Sequence, residues 1–227
     1  MNDWQILLYK ASRCYLQADQ IDAAGRCLTQ LDRHVEAARL YEKQQQWPKA
    51  ALAYQRAQIW PDAARCYLQS ENLNAAIHSL KQAGQLLYAA WLLADRLHDF
   101  HAALRLVKQV ETENLNSNTP DDKNAAALDV MPVGCELVSA RCLLGQGQRH
   151  AAMQQLEQAM ELLMISDGQS HQEQEWARQL AQQLGRLDLI ANIFARQYKQ
   201  SGNTDEWEKW ALEVLGSADG IPQKSKK

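Results

Sequence analysis

The residues with the most obvious chemical capacity are five cysteines and six histidines. An Arg-Cys pair followed by Tyr or Leu recurs at 13–15, 26–28, 65–67 and 141–143. A structural zinc site draws its ligands from close spacings such as Cys-x-x-Cys. Here the cysteines lie at least one full helix and turn apart, save Cys135 and Cys142. Recurrence in one register is what packing predicts, so they read as small buried core residues. His98-Asp99-Phe100-His101 is the densest polar cluster. It falls between two expected helices and brings no third and fourth metal ligand with it, so it reads as a solvated turn. His34, His78, His150 and His171 have no evident Ser, Cys or carboxylate partner for catalysis. Gly145-Gln146-Gly147 lacks the preceding strand and the Lys-Ser/Thr of a phosphate loop, and reads as a turn. No catalytic, cofactor or metal site is expected, and the chain is not expected to be an enzyme.

Two residue sets could bind rather than react. Arg13, Arg39 and Arg65 recur at a constant interval, with Trp91 in the fourth slot. On successive hairpins such a column could grip the carboxylates of an acidic peptide or a phosphate backbone. The alternative is a solvated ladder whose Arg side chains pair with Glu36, Glu42 or Asp62. Seven tryptophans, Trp4, Trp47, Trp60, Trp91, Trp176, Trp207 and Trp210, are candidate buried anchors or interface hot spots. Trp207 and Trp210 share one face of the last expected helix, which either caps the array against 187–200 or serves as a docking patch. Arg13, Arg39, Arg65, Trp91, Trp207 and Trp210 are therefore the candidate partner-binding residues.

The elements that would position them are repeats. Ala11, Ala37, Ala63 and Ala89 are evenly spaced, twenty-six positions apart. Ala24, Ala50, Ala76 and Ala102 form a second series with the same period, offset by half of it. Tyr15, Tyr41 and Tyr67, then Leu93, follow the first series; Leu28, Tyr54, Leu80 and Leu106 follow the second. The half-period suits a helix of about ten residues and a turn of about three. Ala permits close approach, and the Tyr or Leu four residues on lies on the same face and fills the gap. Such short helices are marginal alone, so the stripe must be buried by stacking neighbours. Pro48 and Pro61 sit where helices should begin, and Gly84 where one should end.

This pattern predicts helices at about 4–17, 20–31, 34–45, 48–58, 61–70, 74–83, 86–97 and 100–111. A polar linker is expected at 112–124, a longer-period helical block over 125–216, and a disordered tail at 217–227. In the block, helices are expected near 134–145, 148–165, 171–184, 187–200 and 204–215.

Ala140, Leu143, Gly147, Ala152, Leu156 and Ala159 have the spacing of a 34-residue helix–turn–helix, and the unit at 133–165 resembles a tetratricopeptide repeat. Met164-Ile165 stands where that family often has Pro. The N-terminal units, such as AARLYEKQQQWPKAALAYQRAQ, resemble compressed hairpins of tetratricopeptide-like solenoids, with a shorter period than that family's. The resemblance implies an all-α, right-handed α-solenoid of antiparallel hairpins. It also implies a scaffold or adaptor, a subunit of a larger complex holding a protein partner.

Composition is consistent with this. The net charge is −3, with 13 basic against 11 acidic side chains over 1–111 and 11 against 16 over 112–227. That balance argues against nucleic acid as the partner, leaving a nucleic-acid-binding helical repeat as the alternative, together with a regulatory subunit of a separate enzyme. No run of about 18 apolar residues suggests a membrane span. The N-terminus has no basic and apolar leader, and the odd cysteine count leaves one unpaired in any disulfide scheme; a cytoplasmic protein is expected.

Overall fold

The computed structural model describes residues 3–117, 133–165, 171–201 and 208–212. All regular structure among them is helical. The chain divides into two compact units, Met1–Asp129 and Val130–Lys227.

The first unit contains α1 (Asp3–Gln17), α2 (Ile21–Gln30), α3 (His34–Lys43), α4 (Trp47–Arg56), α5 (Trp60–Gln69), α6 (Leu73–Gln82), α7 (Leu86–Asp95) and α8 (Phe100–Ser117). Helices α2 to α7 are each ten residues long and begin at one constant interval, at 21, 34, 47, 60, 73 and 86. The fourth residue of each is Ala: Ala24, Ala37, Ala50, Ala63, Ala76 and Ala89, all fully buried. The eighth is Leu28, Tyr41, Tyr54, Tyr67 or Leu80 in α2 to α6, at most 7% exposed. Each helix packs against its neighbours in sequence. Burying one such Leu or Tyr contributes roughly 1.5–3 kcal/mol, which ten residues of helix propensity do not supply.

The turns repeat with the same period. Asp19, Asp32, Gln45, Gln58, Glu71 and Gly84 all have positive φ, between 54° and 73° with His98 included. In the six regular turns the amide of the next residue donates back to the carbonyl of the helix's eighth residue, as from Gln46 to Tyr41 at 2.9 Å and from Asn72 to Tyr67 at 2.9 Å. This is the Schellman closure, which satisfies carbonyls that a helix end leaves open. Pro48 and Pro61 occupy the first turns of α4 and α5, where no helical donor is lost. The Asn72 side chain caps α6 by accepting from the Ala75 amide at 3.3 Å.

Two expectations need correction here. The turn between α7 and α8 carries one extra residue: the positive φ falls on His98, and Asp99 donates to Leu93 at 2.9 Å. One residue rotates a helix by about 100°. The buried Ala of α8 is therefore Ala103, not Ala102, and Val107 at 2% exposure takes the slot assigned to Leu106, itself 7% exposed. Helix α8 also continues through 112–117, where the polar composition predicts linker. Polar side chains suit an exposed helix, and Gln109 Nε2 donates to Glu113 Oε1 at 2.9 Å along it. The rest of the expected linker lies outside the described residues, as does the expected tail.

The second unit contains α9 (Val133–Gly145), α10 (Arg149–Ile165), α11 (His171–Leu184) and α12 (Leu187–Ser201), with a further helical stretch at 208–212. Helix α9 packs on α10, α11 on both, and α12 on α11. Ala140, Ala152, Leu156 and Ala159 are fully buried, while Leu143 is half-buried. Gly147, at φ 81°, forms the turn between α9 and α10. Arg149 Nη2 donates to the Leu184 carbonyl at 2.8 Å, tying the start of α10 to the end of α11.

Candidate interaction surface

In the ten-residue frame of the first unit, the sixth residue points outward. In order it is Arg26, Arg39, Leu52, Arg65 and His78 on α2 to α6, all exposed; Arg13 holds the same place in α1, whose frame spans 8–17. Helix α7 breaks the series. Trp91 is 4% exposed and belongs to the core, so its assignment as a partner contact is withdrawn. Its helix is apolar on nearly all sides, with Ala89, Ala90, Leu92 and Ala94 also buried, and such a helix has no solvent face for an indole.

The three arginines differ. Arg65 Nη1 donates to Glu42 Oε1 at 2.5 Å and Nη2 to Asp62 Oδ1 at 3.0 Å. Tyr54 Oη donates to the other oxygen of Glu42 at 2.8 Å. The Arg65 hydrogen bond, helped by that from Tyr54, holds the Glu42 carboxyl below the usual carboxylate range. The carboxylates in turn push Arg65 further up, and burial beside Glu42 pushes the Tyr54 phenol up to about 12. Arg65 thus bridges α5 to α3. Lys49 Nζ similarly joins α4 to Asp22 of α2 at 2.5 Å. Arg13 and Arg39 are exposed and form no ion pair among the described residues; Arg39 acts on Glu42 through its field. The pairing alternative therefore describes Arg65, and the open column describes Arg13 and Arg39.

The tyrosines form a network that the sequence reading missed. Tyr54 reaches Glu42, and Tyr67 Oη donates to Gln55 Oε1 at 2.5 Å. In each case the eighth residue of one helix meets the ninth of the preceding helix, twelve positions back. The signal was present as a polar residue at that offset from a buried Tyr. Tyr41 behaves otherwise: a Cβ placed on Gly25 would overlap its phenol end, so glycine at that site is what lets the ring lie there.

The tryptophans divide between packing and exposure. Trp47 packs against the core, the Trp60 ring meets the His78 ring edge-on at 6.3 Å, and Trp176 is buried. Trp210 stacks at 5.5 Å on Phe194 of α12, itself 4% exposed, which is the capping arrangement for that residue. Trp207 lies outside the described residues. Trp4, by contrast, is 65% exposed on α1, beside Leu7 at 60%.

Cys66, Cys135 and Cys142 are buried packing residues, and burial raises the thiols of Cys66 and Cys142 to about 11. Such thiols are unreactive at neutral pH. Cys27 is half-buried, and Cys14 is exposed, against the expectation of a core position. Asp99 caps α8 by accepting from the Ala102 amide at 3.0 Å, so the His98–His101 cluster is a capped turn. No group of three or more His, Cys, Asp or Glu converges as a metal site among the described residues. A groove of about 520 Å³ lies between α10 and α12, lined by Met160, Met164 and Leu189, with Arg186 at its edge held by Glu157 and Asp188. No helix among the described residues is long and apolar enough to cross a membrane.

Comparison with protein-family models and with curated proteins finds no match.

Proposed function

We propose that this chain is a protein-interaction scaffold, a right-handed tetratricopeptide-like α-solenoid serving as a non-catalytic adaptor or subunit of a larger complex. One observation carries the reading: the sixth and tenth frame positions stay exposed from α1 to α6 while the fourth and eighth positions of α2 to α6 are sealed. A rigid, saturated core with a regularly spaced and variable outer position is how a repeat protein presents a binding surface. Arg13 and Arg39 supply its open cations, which suit a partner segment rich in Asp or Glu. The ion pairs Arg65–Glu42 and Lys49–Asp22, each joining helices two apart, support a two-layered stack of hairpins.

The test is affinity capture with the full chain from its source cells, compared with an Arg13→Glu/Arg39→Glu variant. Arg65 is left intact because it holds two carboxylates. A partner recovered by the wild type and lost, or recovered in much lower yield, with the variant is the expected result. Identical recovery with both would remove this surface from the proposal.

A further inference from the structure

The repeat contains one filled carboxylate site and one unfilled counterpart. In the filled one, Glu42 is the ninth frame residue of α3 and Arg65 the sixth of α5, and Arg65 Nη1 donates to Glu42 Oε1 at 2.5 Å. Asp62, three residues before Arg65, accepts from its other nitrogen at 3.0 Å, and the Tyr54 phenol donates to the second oxygen of Glu42 at 2.8 Å. In the α5–α7 pair the same two frame positions are Leu68, half-buried, and Trp91, 4% exposed. That pair is apolar on both sides. In the α1–α3 pair they are Leu16 and Arg39. Here the cation is present and its carboxylate is not.

Each group that engages the Arg65 site is exchanged or committed elsewhere around Arg39. Leu16, 40% exposed, stands in the place of Glu42, and Leu28 in the place of Tyr54. Glu36 corresponds to Asp62, but it pairs with Arg33. Glu42 lies three residues after Arg39, but its two oxygens are held by Arg65 and Tyr54. The frame itself is unchanged: Gln20 donates to the Tyr15 carbonyl at 2.8 Å, as Gln46 does to Tyr41 at 2.9 Å. Arg39 is exposed.

We infer that Leu16 leaves a carboxylate site open beside Arg39, and that an acidic side chain of the partner fills it as Glu42 fills the site beside Arg65. This rests on the reading of the arginine column as a surface for an acidic protein segment, and adds the residue that decides which arginine is open. The ninth residue of the preceding odd-numbered helix is that determinant. Glu at this place closes the site within the chain, and Leu leaves it to a partner. The surroundings favour a carboxylate over a phosphate backbone. The methylenes of a Glu side chain can lie along the exposed Leu16, whereas a strongly hydrated phosphodiester gains nothing from apolar surface. The guanidinium then meets a carboxylate in the charge-assisted contact that Arg65 already makes.

Binding of a fluorescently labelled hexaglutamate peptide to the full chain, followed by anisotropy at low ionic strength, is the test. Leu16→Glu alters an exposed side chain and is checked for helicity by circular dichroism. It should supply the missing carboxylate from within the chain and weaken the peptide roughly fivefold, the scale of an exposed ion pair. In an Arg39→Gln background Leu16→Glu should have little further effect, because the two residues act through one contact. Glu42→Gln/Asp62→Asn should free Arg65 and tighten binding by a similar factor, a gain that Arg65→Gln abolishes. Leu16→Glu that leaves affinity unchanged, or that weakens binding equally with and without Arg39, overturns the inference and leaves the acidic-segment reading in place. So does a Glu42→Gln/Asp62→Asn variant that binds no more tightly than the wild type. A wild type that does not bind hexaglutamate, or that binds a single-stranded oligonucleotide of equal charge more tightly through Arg39, overturns both.

Discussion

The two units close their helices with the same turn and residues of opposite character. In the described turns of the second unit the left-handed position is Gly147 and Gly185, with φ of 81° and 74°. In the first unit Gly84 is the exception, and Asp19, Asp32, Gln45, Gln58, Glu71 and His98 hold that conformation with side chains. A left-handed L-residue costs roughly 1–2 kcal/mol. The longer helices α9 and α11 of the second unit end on the residue that avoids this cost; the short-helix array of the first unit accepts it five times in six regular turns. The difference shows what fixes each turn. In the first unit the sealed Ala and the Tyr or Leu four residues later set where each helix must stop, and the backbone complies.

That contrast can be broken most severely at the packing residue. Tyr54→Ala should destabilise the first unit by about 3 kcal/mol, through the cavity and the lost ring contacts. Tyr54→Phe should cost only about 1 kcal/mol, because Glu42 keeps Arg65 as a partner. Urea denaturation of the two variants separates these values; equal losses would mean that the hydrogen bond rather than the ring sets the spacing.

The pH dependence sharpens the same point. The folded state holds Glu42 below its ordinary 4.5, so the stability it confers is complete above that value and is lost as pH falls through the lowered one. Tyr54 is raised from 10.0 to about 12, so its contribution is complete below pH 10 and disappears as pH rises towards 12. Thermal melts across both limbs should show Arg65→Met flattening the acid limb and Tyr54→Phe the alkaline one. An acid limb unchanged by Arg65→Met would remove the Arg65–Glu42 bridge from the account.

The smallest effects lie in the turns themselves. Gln45→Gly, Gln58→Gly and Glu71→Gly should each stabilise by about 1 kcal/mol, while Gly147→Ala should destabilise by a similar amount. Chemical denaturation of these variants gives the comparison directly. Glycine substitutions that destabilise the first unit would show that the Gln and Glu side chains themselves hold those turns.

Much of the first unit was legible because its pattern is local. The even spacing of Ala24, Ala37, Ala50, Ala63 and Ala76, with Leu or Tyr four residues on, specifies both the helix and its buried face. Pro48, Pro61, Gly84 and Gly147 mark boundaries through backbone geometry that neighbours cannot change. The register of α8 was less legible. A single extra residue at 97–98 turns every later side chain by about 100°, and the polar composition of 112–117 suits a loop and an exposed helix equally.

The sequence by itself determined an all-helical chain, its short period and the sealed Ala column, since each follows from spacing along one helix. Tertiary structure decided which arginine is engaged, because Glu42 lies 23 residues before Arg65 and meets it only when α3 and α5 stand side by side. It also decided that Trp91 is buried while Trp4 is exposed. Residue type sets what a side chain can do; whether a neighbouring helix stands over it depends on the stacking of elements far apart in the chain, and no local spacing records that.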